Sequence, residues 1–180
     1  MIVFRPFDLN IHMKEFRQMN IEIIQWQTDE LMERYKVDLL SFVHQTTVTE
    51  WVDDNLEPYL DIRPPEGSIL ILEVDGNVVG MIALWNVNDE IGEIGRMWVR
   101  SKFHGNGYMM SLLNKILEMG RGFGYTRFRL TTPVFDEDAL RVYSKVGFKK
   151  IDEYRYTNPE LSKHWICMEL KIRNKHSYVI

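Results

Sequence analysis

The stretch "SILILEVDGNVVGMIALWNV", residues 68–87, limits the fold of this chain more than any other. Two apolar runs flank Asp75-Gly76-Asn77, residue types that tolerate the positive φ of a tight turn, so a β-hairpin is expected. Around it, "MIVFRPFD" reads as a first strand, with Pro6 holding it near an edge or limiting its length. Residues 12–60 are helical in pattern, with a break near "RYKVD" and an end set by Pro58 and Pro64-Pro65.

After the hairpin, "GEIGRMWV" reads as a strand leading into "RSKFHGNGYMM". Met109, Leu112, Leu113, Ile116 and Leu117 then recur at helical spacing, and "RGFG" ends that helix. "YTRFRLTT" returns as a strand. Asp136 can cap a further helix that carries Ala139, Val142, Tyr143 and Val146 on one face, until Gly147 stops it. "KKIDEYRY" and "HWICMELK" read as two last strands. The order predicts an α/β (α+β) protein with a mixed sheet.

At 180 residues the chain suits a single domain, 1–180, and its 45% apolar and 27% charged residues are those of an ordinary soluble protein. "MIVFRPFDLN" has acid and proline where a signal peptide needs a basic and then an apolar region, so none is expected there; no apolar run reaches the roughly 18 residues that span a bilayer, and its one cysteine, Cys167, excludes an internal disulfide. A cytoplasmic setting without a membrane partner is the expectation. Charge is uneven: residues 96–150 hold eleven Lys/Arg against four Asp/Glu, and the remainder eleven against twenty-two. The basic part suits an anion, although scattered solvated charges are the plainer alternative.

Gly105 and Gly107 stand in that basic part, between a strand and a helix. Glycines allow close backbone approach, and a helix N-terminus favours negative charge, so a phosphate-bearing ligand is one reading and a steric turn the other. The stretch is not a P-loop, and Met110 stands where a dinucleotide fingerprint needs its third Gly.

Taken in order, His104-Gly105-Asn106-Gly107-Tyr108-Met109, the downstream set Asp136, Ala139, Tyr143, Gly147 and Phe148, and "FRP" at 4–6 resemble the GNAT acyl-CoA N-acyltransferase superfamily. That family carries [RQ]-x-x-G-x-[GA] and N-x-x-A-x-x-x-Y-x-x-x-G-F. His104 replaces Arg/Gln, Met109 replaces Gly/Ala, and Asp136 replaces Asn. The resemblance implies the GNAT fold, a central mixed, twisted sheet of about seven strands flanked by about four helices. It implies acetyl-CoA as acyl-donor cosubstrate, no metal, and transfer to a primary amine by direct attack in a ternary complex.

Carried onto this chain, the resemblance assigns cofactor binding to Met97, Trp98 and Val99 through main-chain atoms, to residues 104–109 around the pyrophosphate, and to Asp136. Tyr143 becomes the general acid for the leaving thiolate, against the alternative of a core residue. Glu93 stands where some members place a base, with a water chain as the alternative. Strand alternation puts Glu93 and Met97 on one face unless a bulge intervenes. For the acceptor, a small-molecule or peptide amine, Trp51, Trp85, Asp89 and Glu90 are candidate lining groups. Glu50, Asp53, Asp54 and Glu57 form an acidic helix face that could attract a cation or simply face solvent. Trp26 and Trp165 read as packing residues, and His12, His44, His164 and His176 show no metal spacing. Competing functions are an acyl-CoA-binding regulatory module without catalysis and, with less support, a nucleic-acid-binding domain. A homodimer is compatible with either.

Overall fold

The computed structural model describes residues 1–152 and 158–172. Its strands are β1 (Ile2–Pro6), β2 (Ser68–Val74), β3 (Asn77–Asn86), β4 (Ile91–Val99), β5 (Arg127–Pro133), β6 (Lys149–Lys150) and β7 (Trp165–Lys171). They form one sheet in the order β1-β2-β3-β4-β5-β7-β6. Every pairing is antiparallel except β4 with β5. The expected hairpin is β2–β3, turned by Asp75 (φ 50°) and Gly76 (φ 79°), both in the left-handed region. Two positive φ values in succession match the right-handed twist of the paired strands.

The α-helices are α1 (Leu9–Tyr35), α2 (Leu39–Phe42), α3 (Val48–Asp54), α4 (Glu57–Leu60), α5 (Tyr108–Gly122), α6 (Glu137–Val146) and α7 (Pro159–Ser162). About four were expected. The excess comes from short elements, because α2, α4 and α7 have only four residues each. Pro58, read as a stop, instead sits in the first turn of α4, where its missing N–H costs nothing. The break near "RYKVD" is real: α1 ends at Tyr35, and Lys36 (φ 58°) sends its N–H back to the Leu31 and Met32 carbonyls. Of "KKIDEYRY", Lys149 and Lys150 pair with β7, and residues 153–157 lie outside the described residues.

The sheet is covered on both faces. On one, Leu112, Leu113 and Ile116 of α5 and Tyr143 of α6 pack with Leu72, Ile82, Leu84 and Phe128. On the other, Phe16, Met19 and Ile23 of α1 and Val52 of α3 pack on Ile69, Ile71 and Met81. A fully buried side chain of this kind contributes about 1.5–3 kcal/mol, so these two layers hold the sheet rigid beneath the site.

The strand that matters most for the site is β4. It pairs with β5 only from Ile91↔Arg127 to Ile94↔Leu130, yet it stays on β3 as far as Val99↔Gly80. Beyond Ile94 the sheet therefore splits between β4 and β5. A β-bulge accompanies the split: Ala83 pairs with Gly95 but Met81 with Trp98, and Arg96 takes φ 52°. The extra residue reverses the alternation. Ile94, Met97 and Val99 meet the α5 side, while Trp98 packs on the α1 side. Glu93, one residue before Ile94, thus lies on the face opposite Met97, which unbroken alternation would not have given.

Candidate active site

The opening between β4 and β5 has two ends of different chemistry. At one end stands the glycine turn. Gly105 (φ 80°) and Gly107 (φ 76°) adopt the left-handed backbone, and a Cβ on either would meet no atom within 4 Å. Conformation, not space, requires glycine there. Gly107 is the N-cap of α5 and offers no side-chain cap, unlike Asp8 on α1, Thr47 on α3 and Asp136 on α6. The N–H groups of the first turn of α5 are thus left to whatever lies before the helix, together with its positive dipole end.

His104 does not point away from the strand. Its Nε2 lies 2.6 Å from the Val99 carbonyl. A carbonyl only accepts, so Nε2 carries the hydrogen of this contact. Asn106 Nδ2 donates to the Phe103 and His104 carbonyls at 3.0 and 3.2 Å, bracing the turn. Tyr108 and Met109 open α5 and pack partly against the core, which leaves their main chain at the turn.

At the other end is a cavity of about 590 Å³ between α1, α3, α4 and the split strands. All five tryptophans of the chain line it: Trp26, Trp51, Trp85, Trp98 and Trp165. Sequence spacing concealed this, because they come from α1, α3, β3, β4 and β7 and share no local pattern. Trp26 packs on Trp98 at 5.8 Å between ring centroids and edge-on to Phe135 at 5.5 Å. Tyr59 meets Trp85 edge-to-face at 5.7 Å. The Trp85 indole lies over Gly95, where a Cβ would come within 2.5 Å of the ring. Trp98 Nε1 donates to Glu22 at 3.0 Å, and Arg100 meets both Glu22 and Glu15, which ties α1 to the end of β4.

Tyr143 and Asp136 line the same cavity. Tyr143 is 5% exposed, and burial, aided by the neighbouring Asp136, drives its pKa far above that of an ordinary phenol. Its proton therefore stays on at neutral pH. Asp136 accepts from Ala139 N at 3.1 Å as the α6 cap, and burial raises its pKa as well.

The remaining candidates fall elsewhere. Asp89 and Glu90 are exposed on the β3–β4 turn, outside the cavity lining, where Asn88 accepts from the Glu90 and Ile91 N–H groups. Glu93 is 7% exposed, in register with Trp85 on β3 and Arg129 on β5, and does not line the cavity. The acidic face is engaged locally: Arg17 grips Asp53 with two hydrogen bonds, Gln45 donates to Asp54, and Glu50 completes the α3 capping box. Part of the basic excess is also internal, since Arg127 and Arg129 converge on buried Glu169 at 2.7 and 2.8 Å. His12 accepts from Asp8 N at 2.9 Å, His164 packs against Tyr35 with tilted rings 4.4 Å apart, and His176 lies outside the described residues. No helix among the described residues is long and apolar enough to cross a membrane.

A sheet split beside an uncapped, glycine-led helix, with a buried tyrosine on the next helix, is the arrangement that the resemblance to an N-acyltransferase implies. The chain belongs to the acetyltransferase (GNAT) family, whose sequence model matches residues 21–148. It is 30% identical over 107 residues to an uncharacterized N-acetyltransferase of Mycobacterium bovis, covering 57% of this chain and 67% of that protein. Its fold is that of a putative acyl-CoA N-acyltransferase from Klebsiella pneumoniae, with TM-score 0.70, 17% identity, and 96% and 99% of the two chains covered. It is also that of the PaiA N-acetyltransferase of Thermoplasma acidophilum, solved in complex with coenzyme A, with TM-score 0.67, 15% identity, and 95% and 99% covered.

Proposed function

We propose that the protein is an acetyl-CoA-dependent N-acetyltransferase that passes the acetyl group directly to a primary amine held in the aromatic cavity. The observation that carries this reading is the split itself. It joins an uncapped helix start, suited to a pyrophosphate, to a cavity lined by Tyr143, a buried tyrosine whose proton is held on.

The residues divide the work as follows. The N–H groups of the turn and of the first residues of α5 hold the pyrophosphate through residues 105–109. Main-chain groups of Met97, Trp98 and Val99, freed from β5 by the split, pair with the extended arm of the donor, and one N–H beyond the bulge polarises the acyl carbonyl. His104 already occupies the Val99 carbonyl, so the arm meets this strand end with one acceptor shared. The amine nitrogen attacks the acyl carbon, the carbon–sulfur bond breaks, and Tyr143 gives its proton to the departing thiolate. The proton lost by the amine leaves through water. Glu93 stands one residue outside the cavity lining and serves as base only through such a bridge.

Calorimetric titration with acetyl-CoA, followed by thiol release over an amine panel, tests the reading. Saturable binding with thiol release supports it. Binding without release from any amine identifies a regulatory module instead, and absence of binding removes the assignment.

A further inference from the structure

Arg96 is the bulged residue of β4, and it takes φ 52°, a left-handed conformation that strains a non-glycine residue. The conformation turns its side chain into the cavity, where the guanidinium lies 4.8 Å from the Tyr59 ring centroid and 5.4 Å from that of Trp51. Cation–π attraction to these rings holds the guanidinium without using any of its N–H donors. Among the described residues, the other half-buried arginines (Arg17, Arg100, Arg127 and Arg129) each meet an Asp or Glu. Arg96 meets none. Asp136, the other charged side chain in the lining, stands with Tyr143 and is engaged as the α6 cap.

We infer that the acceptor is a free amino acid with a large apolar side chain, its carboxylate paired with Arg96 and its side chain seated among Trp51, Tyr59 and Trp85. The inference rests on the acyltransferase reading and narrows it. A fixed fork of donors in an aromatic wall selects a planar anion. The same fixed positive charge disfavours a polyamine; Asp136, the carboxylate in the lining, is engaged as the α6 cap, and Glu50, Asp53 and Asp54 lie outside the cavity with partners of their own. The amine, next to the carboxylate, is then directed from the Arg96 wall towards the side of the cavity that holds Tyr143.

The test compares acids with their neutral counterparts. L-phenylalanine, L-leucine and L-methionine are assayed for thiol release from acetyl-CoA beside their primary amides and 2-phenylethylamine, in the wild type, Arg96→Gln and Arg96→Lys. Acetyl-CoA affinity is measured for each protein by calorimetry. The acids are expected to exceed the neutral amines by about ten- to a hundredfold in kcat/KM, the effect of a charge-assisted bidentate pair. Arg96→Gln should level the acids to the amides at unchanged acetyl-CoA affinity, and Arg96→Lys should restore only part of the preference, since a point charge lacks the fork. Equal or better use of the neutral amines by the wild type overturns the inference, whatever the variants do. So does a preference that survives in Arg96→Gln, or a wild type that binds acetyl-CoA and uses none of the acids. Failure to bind acetyl-CoA at all removes the acyltransferase reading itself, and is distinguished by that titration.

Discussion

The glycine turn and the aromatic cavity share one opening in the sheet but are built on opposite principles. The turn is backbone: two residues at positive φ and an uncapped helix start, with side chains that brace it or face away. The cavity is side chain: five tryptophans, Tyr59, Tyr143 and Arg96 from elements spread over most of the chain. Main-chain recognition tolerates substitution wherever φ is preserved, which is why Met109 in place of a small residue does not disturb the turn. Side-chain recognition does not tolerate it, so under the proposed function selectivity for the acceptor belongs to the cavity.

That contrast is broken most forcefully by changes that should affect one end alone. Tyr143→Phe removes one buried hydroxyl and should lower kcat by about a hundredfold or more, with acetyl-CoA affinity unchanged. Equal turnover in the mutant would return Tyr143 to the role of a core residue.

Glu169 of β7 lies buried beside β5, in register with Arg129, where β4 and β5 are still paired. Burial alone would raise its pKa, but hydrogen bonds from Arg129 and Arg127 outweigh burial and hold the carboxyl below its ordinary value. A carboxyl whose folded pKa lies below its unfolded value stabilises the fold above the unfolded pKa, near 4.3 for Glu, and loses that contribution as pH falls through the folded value. Glu169→Gln should therefore cost about 1–3 kcal/mol at pH 7 and progressively less in acid. Urea unfolding at pH 7 and pH 3 measures this, and an equal loss at both pH values would contradict it.

Gly107→Val, at the other end, forces a β-branched residue to φ 76° and should cost about 1–2 kcal/mol in the conformation needed to bind. Acetyl-CoA affinity should fall roughly tenfold or more, because the free turn relaxes away from that conformation, so thermal stability changes little and the core packing is untouched. The smallest effect belongs to Asp136→Asn. Asn caps helices as well as Asp, so stability should change by less than about 0.5 kcal/mol, against about 1 kcal/mol for Asp136→Ala. Thermal denaturation of the two variants separates capping from charge.

The sequence disclosed what depends on local pattern. The β2–β3 hairpin, the apolar faces of α5 and α6, the Asp136 cap and the positive-φ glycines all follow from neighbours a few residues apart. Pro58 misled because proline begins helices as readily as it ends them, and α7 was missed although Asn158-Pro159-Glu160 carries a start signal. The bulge at Arg96 left no trace, since nothing in an arginine announces φ 52°. Without the bulge, neither the opposed faces of Glu93 and Met97 nor the inward turn of Arg96 could be read. The cavity was the least legible feature: Trp51 and Trp85 line it, Trp26 and Trp165 join them only through the fold, and Asp89 and Glu90 stay on their turn.

The central claim is that the split in the sheet, with its bare helix start, is a binding site for the acyl donor. Isothermal calorimetry of the wild type and Gly107→Val with acetyl-CoA tests it most directly. The account predicts saturable one-to-one binding to the wild type and markedly weaker binding to the variant. Absence of binding to the wild type, or equal affinity in both proteins, would contradict it.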